Sequence, residues 1–344
     1  MKAAIYNPYL DTLGGGERYS LAFAKVLADS GYLVDLEWSD ESIKLSLEKR
    51  FGIDLKNINV TPDIKKGEGY DVCFWVSDGS IPLMHARNNI LHFQVPFHKV
   101  NGKSLFNKMK FFRINKVVCN SQFTKSVIDK EFGIESIVLY PPVDTKNIKP
   151  KRKENIILYV GRFSKILQGK GQEFLLTAFK KMYDNGLKDW KLVLAGGTEI
   201  GADIFLQELE ENSKNYPVEI IKSPDFKMLK DLYGKSKIFW SASGFGHNEN
   251  ENPEKMEHFG ITVVEAMSAG AVPIVFNGGG HKEIIDDCVN GYLWNNPEDL
   301  IEKTLQLIAN NKTYRLLESE AKKKADTYSI LRFEKELLST ILQK

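Results

Sequence analysis

Two glutamates, Glu257 and Glu265, stand eight residues apart around Phe259-Gly260-Ile261-Thr262, a turn that enters a helical pattern. Carboxylates so placed can hold hydroxyl groups or face a developing positive charge. Thr262 and Glu265 also have the spacing of a capping box, in which Glu265 would only close the helix start. That reading leaves Glu257, Phe259 and Gly260 unexplained. Upstream, Gly161-Arg162 and Lys170-Gly171 frame one loop between an apolar run and a helical pattern. Two cations beside a helix N-terminus suit a diphosphate. Lys165 lies in the same loop and competes with Lys170 for that role. Gly14-Gly15-Gly16-Glu17 follows the first apolar run and opens a helix. Three glycines let backbone approach a ligand closely, here at Gly15 and Gly16. The loop is neither a GxGxxG fingerprint nor a P-loop, which would need a lysine, and a plain strand-to-helix turn is the alternative.

Alternation of elements must position these residues. Apolar, β-rich runs at 3–6, 33–38, 71–76, 90–94, 116–119, 137–140, 155–160, 191–195, 218–221, 238–241 and 272–276 have strand length. Most are apolar throughout, as parallel strands buried on both faces are. Helical patterns at 17–29, 123–131, 172–183, 203–212, 227–235 and 262–269 fall between them. Strand-helix alternation of this length is an α/β architecture with doubly wound sheets. The Pro-rich, charged stretch from Tyr140 to Lys153 separates two halves, each opening on a strand and a glycine-containing loop. The expected division is a first domain at 1–147, a second at 148–325, and a helical tail at 326–344 that packs back on the first. Ligands of such sheets sit at the carboxyl ends of the strands. A pocket for a base is therefore expected near Gly196 and near Lys222-Ser223, where two further strands end.

Composition limits the function. The 344 residues suit about two domains. The net charge of +2 gives no general case for nucleic-acid binding. No apolar run reaches the ~18 residues of a membrane-spanning helix. Cys73, Cys119 and Cys288 spell no zinc or redox motif and are expected as buried thiols in a reducing cytoplasm. His85, His247, His258 and His281 are too scattered to suggest a metal site.

The stretch from Glu257 to Leu293, with Glu257, Glu265, Gly278-Gly279-Gly280 and Asn290-Gly291, resembles the C-terminal signature of the retaining GT-B glycosyltransferases of glycosyltransferase family 4. Arg162 and Lys170 are similar to that family's diphosphate clamp, and the Gly14–Glu17 loop to its N-domain glycine loop. Asn7-Pro8-Tyr9 with Gly14–Arg18 is locally similar to lipid-linked oligosaccharide α-mannosyltransferases. The resemblance runs over essentially the whole chain and implies two Rossmann-like domains facing a central cleft. It implies transfer of a hexosyl group, with retention, from a GDP- or UDP-linked sugar to a glycan or lipid-linked acceptor. Glu257 would meet the transferred sugar and Glu265 the ribose. Arg162, Lys170 and the amides near Gly260, Ile261 and Thr262 would neutralise the leaving diphosphate. His98 is the candidate for an N-domain histidine that touches the donor sugar, whereas His92 reads as a core residue. No cofactor and no metal are expected, because Arg and Lys replace Mg²⁺ and no Asp-x-Asp is present. A nucleotide-sugar epimerase of the same architecture and a non-catalytic sugar-nucleotide-binding protein are the alternatives. The loop between Arg162 and Lys170 and the stretch Gly244–Pro253 are longer than the family pattern, the latter expected as a polar loop over the donor sugar.

Charge bookkeeping adds one feature that does not depend on the family. Residues 79–128 hold no Asp or Glu but carry eight cations, in a chain whose net charge is +2. The densest part, 103–116, interleaves Lys103, Lys108, Lys110, Arg113 and Lys116 with Leu, Phe, Met and Ile. Such a segment can rest on an anionic bilayer, which would make the protein cytoplasmic and peripheral on the inner membrane face. The alternative is a solvated basic helix whose Phe residues pack on the domain core.

Overall fold

The computed structural model describes residues 1–164, 169–198 and 201–342. The chain forms two units, one made of Met1–Pro142 with the segment from Leu331 onward, the other of Val143–Ile330. The first boundary falls a few residues before the expected 147. Val143 belongs to the second unit because it bridges Ser329 and donates its N–H to the Tyr328 carbonyl at 2.9 Å.

Among the described residues, each unit is built on one parallel sheet. In the first, β1 (Lys2–Tyr6), β2 (Leu33–Glu37), β3 (Ile58–Thr61), β4 (Val72–Val76), β5 (Asn88–Phe93), β6 (Lys116–Cys119) and β7 (Ile137–Val138) lie in the order β3-β2-β1-β4-β5-β6-β7. In the second, β8 (Glu154–Val160), β9 (Lys191–Gly196), β10 (Val218–Lys222), β11 (Ser236–Ser241), β12 (Val272–Phe276) and β13 (Tyr292–Trp294) lie in the order β10-β9-β8-β11-β12-β13. Strand order reverses beside the first strand of each sheet, between β1 and β4 and between β8 and β11. Loops diverge there at the carboxyl ends of the strands, leaving a crevice for a ligand.

Two strands escape the apolar pattern. Ile58–Thr61 alternates with polar residues and Tyr292–Trp294 is three residues long, and both are edge strands with less surface to bury. Helix Ile43–Phe51 escapes it as well, since Leu47 is its one buried residue. Helices open on side-chain caps where the sequence supplies them. Ser121 accepts the Thr124 N–H, Asp225 that of Met228 and Asn296 that of Asp299, each filling a donor the helix start leaves open.

The first unit's core is an aromatic stack. Phe23 lies on Phe74, Phe74 beside His92, and His92 on Tyr19 at 4.2 Å, with Phe333 edge-on to Tyr19. His92 is a core residue. Burial drives it down to about 3 against the opposing Val118 carbonyl contact, so it stays neutral. Phe333, Leu337 and Ile341 come from the end of the chain and are fully buried in this core. Cys73 and Cys119 are buried, and burial pushes both thiols up to about 12. Cys288, expected buried, is exposed, in a surface turn at φ 63° between Ile285 and β13.

Phe333→Ala removes a fully buried ring that closes the first core from the far end of the chain. It is expected to cost about 3–5 kcal/mol, read as a lower urea midpoint for that unit's unfolding transition.

Candidate functional site

The carboxyl edge of the second sheet gathers most of the sequence-nominated residues. Gly161 and Arg162 follow β8, Gly196 ends β9, Lys222 ends β10, and Glu257 lies in the connection after β11. Close backbone approach makes this edge possible. A Cβ on Gly196 would stand 1.9 Å from the Gly161 carbonyl oxygen, so the ends of β8 and β9 meet only through glycine. Gly171 has a φ of +71°, and a Cβ there would stand 2.6 Å from that of Ala242. It thereby joins the start of helix Gln172–Asp184 to the end of β11. The glycines at 278–280 do the same for the Glu257 segment. A Cβ on Gly279 would lie 2.3 Å from the Glu257 carbonyl oxygen, and one on Gly280 2.5 Å from Phe259 Cα. The Gly280 N–H donates to the Glu257 carbonyl at 2.7 Å.

At the centre is an ion pair across the strand reversal. Lys170 Nζ donates to Glu257 Oε2 at 3.1 Å, with the two side chains 14% and 20% exposed. Burial pushes the Glu257 carboxyl up, but the neighbouring positive charge, that of Lys170 first, outweighs it and holds it at about 2. Glu257 is therefore an anion at any working pH. His281 is fully buried, and burial lowers it against the pull of Glu257. Its Nδ1 meets the Phe276 carbonyl at 2.9 Å. A carbonyl only accepts, so the neutral ring carries its proton on Nδ1. Nε2 is then a buried acceptor with no hydrogen-bonding partner among the described residues. The Tyr159 hydroxyl is likewise buried and unsatisfied. It fills the space where a Cβ on Gly161 would come within 2.1 Å. Burial raises its pKa, the Glu257 charge adds to that and Arg162 opposes it, so it remains a donor. Arg162 is anchored through its carbonyl, which accepts from Gln172 Nε2 at 2.8 Å.

Helix Ile261–Ser268 starts at Gly260, with φ at 112°, and not at Thr262. The capping-box reading of Glu265 therefore fails. Its side chain is buried a turn further on and receives the Tyr233 hydroxyl at 2.7 Å. The amides of Ile261 and Thr262 form the first turn of that helix, where its positive dipole end lies. Phe259 turns inward and packs edge-on against Tyr328 at 5.2 Å, which leaves its backbone as the part nearest the turn. Lys222 pairs with Glu210 at 2.6 Å. Ser223 adopts φ 48°, donates its N–H to the Gly196 carbonyl, and lies 3.5 Å from the Thr198 hydroxyl. Lys165 lies outside the described residues.

Gly15, Gly16 and His98 are carried by the first unit. Gly16 has a packing reason to be glycine, since a Cβ there would meet the Gln94 carboxamide at 1.9 Å. Gly14 donates its N–H to Glu17, closing the start of helix Gly15–Asp29. His98 is half-buried beside a loop that Glu131 ties down by accepting the N–H groups of Lys99, Val100 and Gly102.

Sequence reasoning missed Tyr159, His281, Tyr233 and the Glu249 contacts. Glu249 accepts Lys282 Nζ at 2.7 Å and the Gly279 N–H at 3.2 Å, which binds the long Gly244–Pro253 stretch to the glycine turn. Phe245 roots the same stretch between Phe174, Phe276 and Trp294. One signal was available for His281, its position directly after three glycines at a strand end. Tyr159 and Tyr233 look like ordinary aromatic residues in their segments.

A family model described as "Glycosyl transferases group 1" matches residues 143–324. A GDP-Man:Man(3)GlcNAc(2)-PP-Dol alpha-1,2-mannosyltransferase of Dictyostelium discoideum is 27% identical over 230 residues, 63% of this chain and 44% of that protein. An uncharacterized glycosyltransferase of Methanocaldococcus jannaschii is 26% identical over 67% of this chain and 60% of its own. The chain spans about half the length of the curated relatives it matches. The crystal structure of Anabaena HepE in complex with UDP and glucose superposes over 100% of both chains, with a TM-score of 0.76 and 17% identity. That of a glycosyltransferase from Rickettsia africae superposes over 98% of both, with a TM-score of 0.76 and 19% identity. The fold is thus GT-B.

The Glu257 pair yields a pH signature with a definite sign. Its folded pKa of about 2 lies below that of an unfolded glutamate. The stabilisation is therefore complete above the unfolded value and is lost as pH falls through the folded one. Wild type is expected to be more stable than Glu257→Gln at pH 7. The gap should close between about pH 5 and 2, measured by urea unfolding across that range. Gly196→Ala forces a Cβ onto the Gly161 carbonyl and is expected to cost about 1–3 kcal/mol or more in the same assay.

Proposed function

The chain belongs to the glycosyl transferases of group 1, and on that premise we propose that it moves a hexosyl group, with retention of configuration and without a metal, from a GDP- or UDP-linked sugar to a glycan or lipid-linked acceptor. The observation that carries this reading is the half-buried Glu257–Lys170 pair at the strand reversal, beside the first turn of helix Ile261–Ser268. Breaking the bond from sugar to diphosphate leaves negative charge on the diphosphate and positive charge on the sugar. Lys170, Arg162 and the amides of Ile261 and Thr262 supply the opposite sign to the first. Glu257, held as an anion, faces the second. A carboxylate with a pKa of about 2 is a poor base. The acceptor's proton therefore passes to the departing phosphate in this reading. His281 Nε2 offers a fixed acceptor, and the Tyr159 hydroxyl a fixed donor, to hydroxyls of the donor. Glu265, oriented by Tyr233, takes the ribose hydroxyls. The names of the relatives support a GDP-sugar and a lipid-linked acceptor, and the UDP held by HepE supports the other base.

The test is release of nucleoside diphosphate from a panel of GDP- and UDP-sugars, with and without lipid-linked and free glycan acceptors. Acceptor-dependent release is expected. Sugar interconversion without release would mean an epimerase, and saturable binding without turnover a non-catalytic protein.

Within that assay, Glu257→Ala is expected to lower kcat with little change in donor affinity. Glu265→Gln and Tyr233→Phe should instead weaken binding of donor and nucleoside diphosphate, Glu265→Gln by about 1.5–3 kcal/mol. Arg162→Ala and Lys170→Ala should each reduce turnover by ~10²-fold or more, and activity should survive EDTA. Loss of activity in EDTA with rescue by Mg²⁺ or Mn²⁺ would overturn the metal-free route.

A further inference from the structure

The helix Leu105–Phe111 of the first unit contributes no fully buried residue. Its apolar side chains divide into two sets. Phe111 packs edge-on against Phe132 at 6.0 Å, and Ile114 joins the same core cluster. Leu105, Phe106, Met109 and Phe112 point the other way and are 77%, 67%, 61% and 90% exposed. At about 100° per residue these four occupy one continuous arc opposite the packed side. Helices of globular domains turn such an arc toward the core. Leaving it in water forgoes the free energy that its burial would release. Exposed Lys103, Lys108 and Arg113 flank the arc. Lys110 is drawn aside to the Ile81 carbonyl at 2.7 Å and over the Phe106 ring, while Lys116, the last residue of the basic segment, lies in β6 and bonds the Thr340 carbonyl. No acidic residue occurs between Asp78 and Asp129 to offset these cations.

We propose that this face docks on an anionic phospholipid bilayer, with Leu105, Phe106, Met109 and Phe112 dipped among the acyl chains and Lys103, Lys108 and Arg113 on the headgroups. Charge complementarity selects the occupant. A second copy of the chain would bring the same cations against each other, whereas anionic headgroups meet both the charge and the apolar arc. No helix among the described residues is long and apolar enough to cross a membrane, so the contact is peripheral. The inference does not rest on the proposed sugar transfer, and its test needs no turnover.

The experiment is co-sedimentation of the full chain with phosphatidylcholine vesicles and with vesicles of phosphatidylcholine mixed with phosphatidylglycerol, an anionic lipid. Binding is expected to the anionic vesicles, to fall as salt rises, and to be weak on neutral ones. Replacing Lys103, Lys108 and Arg113 by Gln should lower the partition coefficient about five-fold per charge. Replacing Phe106 and Phe112 by Ser should lower it further at unchanged charge. All five side chains are exposed, so these variants should keep the wild-type melting temperature. Wild type that stays in the supernatant with anionic vesicles at low salt overturns the proposal. So does a Phe106→Ser/Phe112→Ser variant that binds as wild type does, or one that merely abolishes a dimer seen by sedimentation.

Discussion

A carboxylate with little access to water persists as an anion only where cations meet it. Glu257 is met by Lys170, and that pairing organises the carboxyl edge of the second unit's sheet. One partner comes from the loop after β8 and the other from the connection after β11, the two strands between which the sheet order reverses. The pair therefore bridges the crevice that the topology opens and keeps a negative and a positive charge side by side. In the proposed transfer, an incoming diphosphate competes for the lysine while the glutamate stays charged for the sugar.

Charge alone would not place the pair. The segments carrying it are held at distances that side chains would forbid, at Gly196 against Gly161, at Gly171 against Ala242, and at Gly279 and Gly280 against residues 257–259. Each glycine removes a Cβ that would push two backbones apart. His281 is buried by the same arrangement, which makes it a neutral acceptor rather than a cation. The aromatic cluster around Phe245 and Trp294 then stiffens the long stretch that Glu249 joins to the glycine turn. Packing and electrostatics are thus not separable here, since moving one backbone would break the other's charge pairing.

The first unit solves a different problem. Its sheet is closed by residues from the far end of the chain, with Phe333 against Tyr19, so its core is completed only when Leu331 and the residues after it return. Its outward helix at Leu105–Phe111 leaves apolar side chains in solvent, with Leu105, Phe106, Met109 and Phe112 all exposed.

Much of this was legible in residue order. Period and composition are local, and buried parallel strands must be apolar on both faces, so nearly every central strand and every helix that buries a full stripe announced itself. The two edge strands and helix Ile43–Phe51 did not, because they bury less. Glu257, Arg162 and Lys170 could be nominated because charged residues at glycine turns beside strand ends have few structural reasons to exist, whereas Glu265, inside a helix, was nominated by its spacing from Glu257 and the family resemblance. What the sequence could not determine was pairing and burial. Whether Glu265 caps a helix or meets Tyr233, whether Phe259 lines a site or fills a core, and whether Phe106 and Phe112 face inward like Phe111 or outward, all depend on which surfaces come together across long stretches of chain. The sequence by itself determined which residues carry charge and which segments can be buried; only the tertiary structure decided which charges meet out of water, because desolvation is a property of the packed neighbourhood and not of the residue.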